Sequence, residues 1–271
     1  MIAKYWYVEL IFGLVVAVMI SLIILLRNRP DLSYKIAYVI ASYILIMKIT
    51  QYASKGIAGD PFPFPLELSS VAYFIFGIFI VFKIRKLDVI GVFFGFTAGF
   101  FYLISVFASP SSHVGVLDGL YAENGSITAL FRSEDELFAM VNHTLMFFGS
   151  SLLLFNVKKY NWKKHWIIII AFILALAYAW AIHLFSSYGK TASRPLICRI
   201  CTGEILTTIL PNLVVDAKFT TIWLCVTTPV FFIYVTLFYL LNNVCANRRE
   251  KHGIAGDYFP EKLFPKTKKA N

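Results

Sequence analysis

Charge is scarce in this chain. Of its 271 residues, 15% are Asp, Glu, Lys or Arg and 59% are hydrophobic. Soluble domains carry about 25% charged and about 45–50% apolar residues, so the length is not that of one or two soluble domains. Cysteine is sparse as well, at four residues, which excludes a disulfide-dense scaffold. Cys198 and Cys201 form a lone C-x-x-C without a βαβ context. One such pair has too few ligands for a structural zinc site unless histidines join it, and a local disulfide or two thiols are the plain readings. Alternating apolar and polar segments are missing, which excludes a membrane β-barrel. Neither a second domain nor a helix-scale repeat is visible. The string Gly56 to Asp60 recurs as Gly253 to Asp257, but the expected topology sets the copies on opposite sides of the membrane, so the recurrence is read as chance. The N-terminal run has a single Lys4 before it and no small-residue cleavage site after it, so it reads as a retained anchor rather than a signal peptide. No metal site and no cofactor are expected.

What the chain has is long apolar runs. Seven can be read, roughly Tyr7 to Leu26, Ile36 to Ala53, Leu66 to Ile84, Val89 to Ala108, Leu137 to Asn156, Trp166 to Phe185 and Phe219 to Leu241. About 20 mostly apolar residues cross a bilayer, and each crossing is expected to be an α-helix because lipid offers no partner to an open backbone amide. The expected fold is therefore an all-α, polytopic bundle of seven transmembrane helices over residues 1–245, with a basic tail at 246–271.

Lysine and arginine set the expected orientation. Seventeen fall in the loops after the first, third and fifth runs and in the tail, against seven in the alternate segments. This places the N-terminus outside and the C-terminus in the cytosol. The net charge of +10 is then a topology signal first and an attraction to anionic lipid second, at ~1 kcal/mol per basic residue near the surface. Membrane lipids are the expected partners, with no role for nucleic acid, and the sequence does not give the oligomeric state. A multi-pass cell-membrane protein is expected, with the endoplasmic reticulum as the alternative in a eukaryote.

Three outer segments carry signals. Alternating prolines from Pro61 to Pro65 impose an extended approach to the third helix. Ser133 with Glu136 resembles a capping box for the fifth. The third is the apolar stretch from Leu196 to Val215, which contains Arg199, Glu204 and Pro211. It reads as a re-entrant or interfacial segment, because an eighth span would move the basic tail outside.

Ionisable residues inside a membrane are expensive and tend to mark function. At ~1.5 Å per residue, Lys48 late in the second helix, Glu67, Ser69 and Ser70 early in the third, His143 in the fifth, and Tyr178 and His183 late in the sixth all fall within the outer third of the bilayer. Four helices thus supply polar groups at one depth, as for an outward-opening pocket. Each residue also has a plainer reading. Lys48 can snorkel to the interface, Glu67 can sit wet at a positive helix end, and a single histidine is more often a hydrogen-bonded core residue than a base. Glu67 and Ser70, three apart, share a face of a regular helix, whereas Ser69 reaches Glu67 only if the helix has not yet become regular.

The block Phe64-Pro65-Leu66-Glu67-Leu68-Ser69 resembles the leucine-proline-leucine-histidine-leucine-cysteine block of the YwaF-like bacterial membrane proteins, which are remotely related to eukaryotic transmembrane acyltransferases. Lys48, the glycine-rich stretch Gly95 to Gly99, the run Phe138 to His143 and the pair Arg194-Pro195 match other short family motifs. The resemblance implies seven helices and, for characterised relatives, movement of a fatty acyl chain through a cysteine. Here Glu67 stands for the family's histidine and Ser69 for its cysteine.

On that resemblance Ser69 or Ser70 is the expected nucleophile, His143 its base and Glu67 the group that orients or tunes the base. Lys48, Tyr178, His183 and Arg194 are the expected substrate-binding residues. Two other functions compete. One is solute transport or ligand binding in the same pocket, although the inverted repeats and broken helices of transporters are missing. The other is a structural role in which polar groups join helices.

Overall fold

The computed structural model describes residues 6–59, 65, 67–108, 134–185, 196–208 and 210–260. The prolines at 61–64, the loop at 109–133 with Ser133, and the segment with Arg194 lie outside them.

The architecture is all-helical, with no strand among the described residues. In chain order the helices are α1 (Trp6–Leu25), α2 (Pro30–Ile57), α3 (Leu68–Val81), α4 (Asp88–Ala108), α5 (Glu134–Leu152), α6 (His165–Phe185), α7 (Leu196–Thr202) and α8 (Ala217–Lys251). Five helical stretches are long and apolar enough to cross a membrane: Pro30–Ile57, Asp88–Ala108, Ala139–Val157, Trp162–Phe185 and Ala217–Lys251. Phe12–Leu25 and Leu68–Val81 are shorter apolar helices.

Local sequence explains several boundaries. Pro30 opens α2, where its missing N–H is no loss. Asp216 caps α8 by accepting the Phe219 N–H at 2.7 Å. At the other end of α8, Gly253 adopts φ +72 and lets the chain turn back on itself.

α3 packs between α2 and α4, and α5 packs on α2 and α4. The core these helices enclose includes Ile44, Phe76, Phe93, Met146 and Leu152, all essentially without exposure. Phe93 meets Phe94, Phe231, Tyr234 and Phe238 edge-on at centroid distances of 5.2–6.2 Å, which is the arrangement ring quadrupoles favour. Close approach of α4 to α5 depends on Gly99, where a Cβ would stand 2.6 Å from Phe147 Cβ and 2.8 Å from the His143 carbonyl oxygen. Small residues serve this purpose wherever membrane helices pack closely. α6 and α8 lie at the flank and present exposed Ile173, Leu174, Val226, Val230 and Ile233, an apolar surface suited to lipid.

The stretch from Leu196 to Val215 forms no helix of spanning length. α7 has seven residues, a 3-10 turn follows over Glu204–Thr208, and the chain then enters α8. Ile197 and Cys198 are buried, and Trp223 Nε1 donates to the Ile200 carbonyl at 2.7 Å, tying α7 to α8.

The boundary expected at 245/246 falls inside α8. The chain beyond the helix folds back on the bundle: the Tyr258 N–H donates to the Val157 carbonyl at 2.9 Å, and its hydroxyl donates to Asp31 Oδ1 at 2.7 Å. Residues through 260 are thus part of the packed unit.

Candidate functional site

A polar cluster around Tyr73 is built by α2, α3, α4 and α5. Lys48 is buried, at 8% exposure, so its stem does not carry the ammonium out to water. Nζ donates to Gln51 Oε1 at 2.8 Å and lies 4.5 Å from the centroid of the Tyr73 ring. Such a contact is worth about 0.5–2 kcal/mol, more as water is excluded.

His143 is buried and sits between two tyrosines. Its ring stacks on Tyr102 with centroids 4.1 Å apart and planes 4° from parallel, and it meets Tyr73 at 5.2 Å. Tyr73 is therefore the centre of the cluster, with the Lys48 ammonium and the His143 imidazole both on its ring. Its hydroxyl and the Oδ1 of Asn142, beside His143 in sequence, are buried without a hydrogen-bond partner among the described residues. Each such atom costs about 1–3 kcal/mol, a cost that a bound polar group would remove.

Glu67 does not belong to the first turn of α3. It is the N-cap residue, with extended dihedrals (φ -87, ψ 151). The shared face expected for Glu67 and Ser70 in a regular helix is therefore replaced by a contact to Ser69, whose Oγ donates to Glu67 Oε2 at 3.5 Å. Ser70 instead approaches the Tyr52 phenol on α2. Glu67 and Tyr52 both lie within electrostatic reach of Tyr73, so the start of α3 adjoins the cluster. The ring contacts of the imidazole are with tyrosines, and the hydrogen bonds of the serines run to Glu67 and Tyr52.

On α6, Tyr178 is 36% exposed and lines a shallow apolar depression with Ala181, Ile182 and Phe185. It lies within electrostatic reach of Tyr52. His183 is half-buried, with its ring 5.9 Å from Trp180 and its Nδ1 lacking a partner among the described residues. Among the described residues no group of three His, Cys, Asp or Glu side chains is arranged to hold a metal ion.

A second polar cluster, not anticipated from the sequence, lies at the opposite, basic end. α5 ends in a π-helical turn over Leu153–Val157, and its carbonyls receive side chains from α8. Asn242 donates to the carbonyls of Leu154 and Lys158 at 2.7 and 2.9 Å and accepts the Tyr160 N–H at 2.7 Å. Arg249 donates to the carbonyls of Phe155, Lys158 and Gly256. Lys158 Nζ pairs with Asp88 Oδ2 at 2.8 Å, and both side chains are less than one-tenth exposed. Asn242 directly follows the apolar run Phe219 to Leu241, where a polar residue reads as the end of a span rather than as a junction.

Comparison of the chain with protein families, with curated proteins and with solved structures finds no match.

Proposed function

We propose that this is a seven-span protein of the cell membrane, with its N-terminus outside, its basic end in the cytosol and the 196–215 segment dipping in without crossing. The outer cluster binds the headgroup and ester region of a membrane lipid. One observation carries this reading. Tyr73 Oη and Asn142 Oδ1 are buried without partners among the described residues, beside the buried Lys48 ammonium and the His143 imidazole. An ester carbonyl or phosphate oxygen would accept from the Tyr73 hydroxyl.

Acyl transfer is the reaction such a site would serve. Ser69 Oγ attacks the ester carbonyl, and Glu67 or His143 takes the hydroxyl proton. The acyl C–O bond of the lipid then breaks, and the proton passes to the departing alkoxide, leaving an acyl-serine and a lysolipid. A second lipid alcohol reverses these steps and removes the chain. Backbone amides near Pro65, Lys48 and Arg194 are the candidates to stabilise the oxyanion. A structural role is the second reading, favoured by the parallel stack of His143 on Tyr102.

Intact-mass measurement of the full chain purified from native membrane, with and without hydroxylamine, separates the two. Acyl transfer predicts an acyl-sized adduct mapped to Ser69 and lost in Ser69→Ala, together with reduced co-purifying lipid in Tyr73→Phe. Absence of any adduct, unchanged lipid in Tyr73→Phe and a plain loss of thermal stability in His143→Ala would instead establish the structural role.

A further inference from the structure

The basic end contains a cavity of about 200 Å³ that none of the outer-site chemistry uses. Tyr160 and Tyr239 line it, and both side chains are buried. Both hydroxyls lack a hydrogen-bond partner among the described residues. Other atoms of Tyr160 are well fixed, since its N–H donates to Asn242 and its ring lies on Phe238. Burial first, and then the nearby Asp88 and Asp257 carboxylates, hold its phenol well above the ordinary range, so it stays a donor. Asp88, Asp257 and Tyr239 line the cavity together with Tyr160.

Cations surround these donors. Arg85, Lys86 and Lys164 are exposed at the cavity wall and form no ion pair among the described residues. One ammonium, that of Lys158, faces both carboxylates in the lining, Asp88 at 2.8 Å and Asp257 at 4.0 Å, so this trio leaves one negative charge against the three cations at the wall. Phe259 covers one side, with the Arg85 guanidinium 3.6 Å from its ring centroid. The cavity is therefore lined by two neutral phenols whose hydroxyls lack acceptors among the described residues, and its wall carries net positive charge, which suits a small multivalent oxyanion.

We propose that this cavity binds a phosphate group, with Tyr160 and Tyr239 donating to its oxygens and Arg85, Lys86 and Lys164 neutralising it. The phosphate has two possible sources, the headgroup of an anionic lipid such as phosphatidic acid or phosphate free in solution. A basic protein end attracts anionic lipid through charge alone, so the deciding variants must leave charge unchanged. Tyr160→Phe with Tyr239→Phe does so and keeps both rings in place.

The test uses the full chain in nanodiscs of phosphatidylcholine, with and without phosphatidic acid, and in detergent with sodium phosphate against sodium chloride. Lipid retention is read by native mass spectrometry and stability by thermal unfolding. Selective retention of phosphatidic acid, lowered at least tenfold in the double phenylalanine variant, supports a lipid source, since a hydrogen bond to a charged group is commonly worth a factor of about ten or more. A rise in melting temperature with inorganic phosphate, lost in the same variant, supports a soluble source. Lys86→Ala with Lys164→Ala should weaken either effect without touching the core. The proposal is overturned if neither phosphate nor phosphatidic acid has an effect, which would leave a water-filled cavity. It is also overturned if the phenylalanine variant responds like the parent, which would leave surface charge as the whole cause. Because every variant lies at the end opposite Ser69 and His143, failure here leaves the acyl-serine experiment intact.

Discussion

At the basic end Lys158 faces a carboxylate at 2.8 Å, and Asn242 and Arg249 together bond to four backbone carbonyls between Leu154 and Gly256. At the opposite end Lys48 meets the Gln51 side-chain amide and the face of a tyrosine, and His143 meets two aromatic rings. Both ends bury a lysine, and at the basic end a carboxylate at 2.8 Å and a set of side-chain bonds to backbone carbonyls accompany it. Buried polarity that is paired in this way fixes structure. Buried polar atoms without partners among the described residues, such as Tyr73 Oη and Asn142 Oδ1, hold capacity for a ligand.

Breaking the ion pair should give the largest effect. Asp88→Leu leaves the buried Lys158 with only the more distant Asp257 carboxylate at 4.0 Å, and breaking a buried pair typically costs about 3–5 kcal/mol. The expected result is a large drop in the thermal unfolding midpoint in detergent. Adding Lys158→Met should restore most of the loss, because an apolar pair of similar volume is often as stable as the buried ion pair it replaces. A double variant no better than Asp88→Leu alone would show that Lys158 has a further essential partner.

Asn242→Leu should come next. It removes three hydrogen bonds and takes the side-chain partner from the Tyr160 N–H and the Leu154 carbonyl, while the Lys158 carbonyl keeps its bond from Arg249. Stranding buried groups costs about 1–3 kcal/mol. Hydrogen exchange should speed up at Tyr160 and across the α5–α6 turn before it does so elsewhere. Uniform acceleration over the whole chain would mean that Asn242 holds the fold globally rather than this junction.

The two ends also differ in how legible they are in sequence. The crossing segments are readable because apolar runs report lipid contact directly, and α2, α4, α5, α6 and α8 fall on five of them. Lys48 and His143 stand out because ionisable groups in such runs are rare. Tyr73 and Tyr102 do not, since a tyrosine in an apolar run looks like packing, yet their rings organise the cluster. The basic junction was hidden for a different reason. Lys158 and Arg249 were read through their charge, as markers of sidedness, whereas their positions depend on carbonyls turned outward by a π-helical turn and on partners 70 or more residues away. Backbone geometry of that kind has no residue-type signature. Glu67 is a smaller case: whether it begins the helix or caps it depends on a single dihedral pair, and that pair decides whether Ser69 or Ser70 reaches it.

The smallest change in stability is expected from Lys48→Met, and it gives the sharpest comparison between the ends. Methionine keeps the length and much of the volume of the buried stem. Loss of the cation–π contact and of the bond to Gln51 is offset by release from holding a charge in an apolar surrounding, so the unfolding midpoint should shift by no more than the equivalent of about 1 kcal/mol. If the outer cluster holds a lipid phosphate, the same variant should lose most of its co-purifying anionic lipid while remaining folded. A stabilised variant with unchanged lipid would mean that Lys48 is a tolerated burden of the fold. A variant destabilised as strongly as Asp88→Leu would give Lys48 the same structural role as Lys158 and remove the contrast between the two ends.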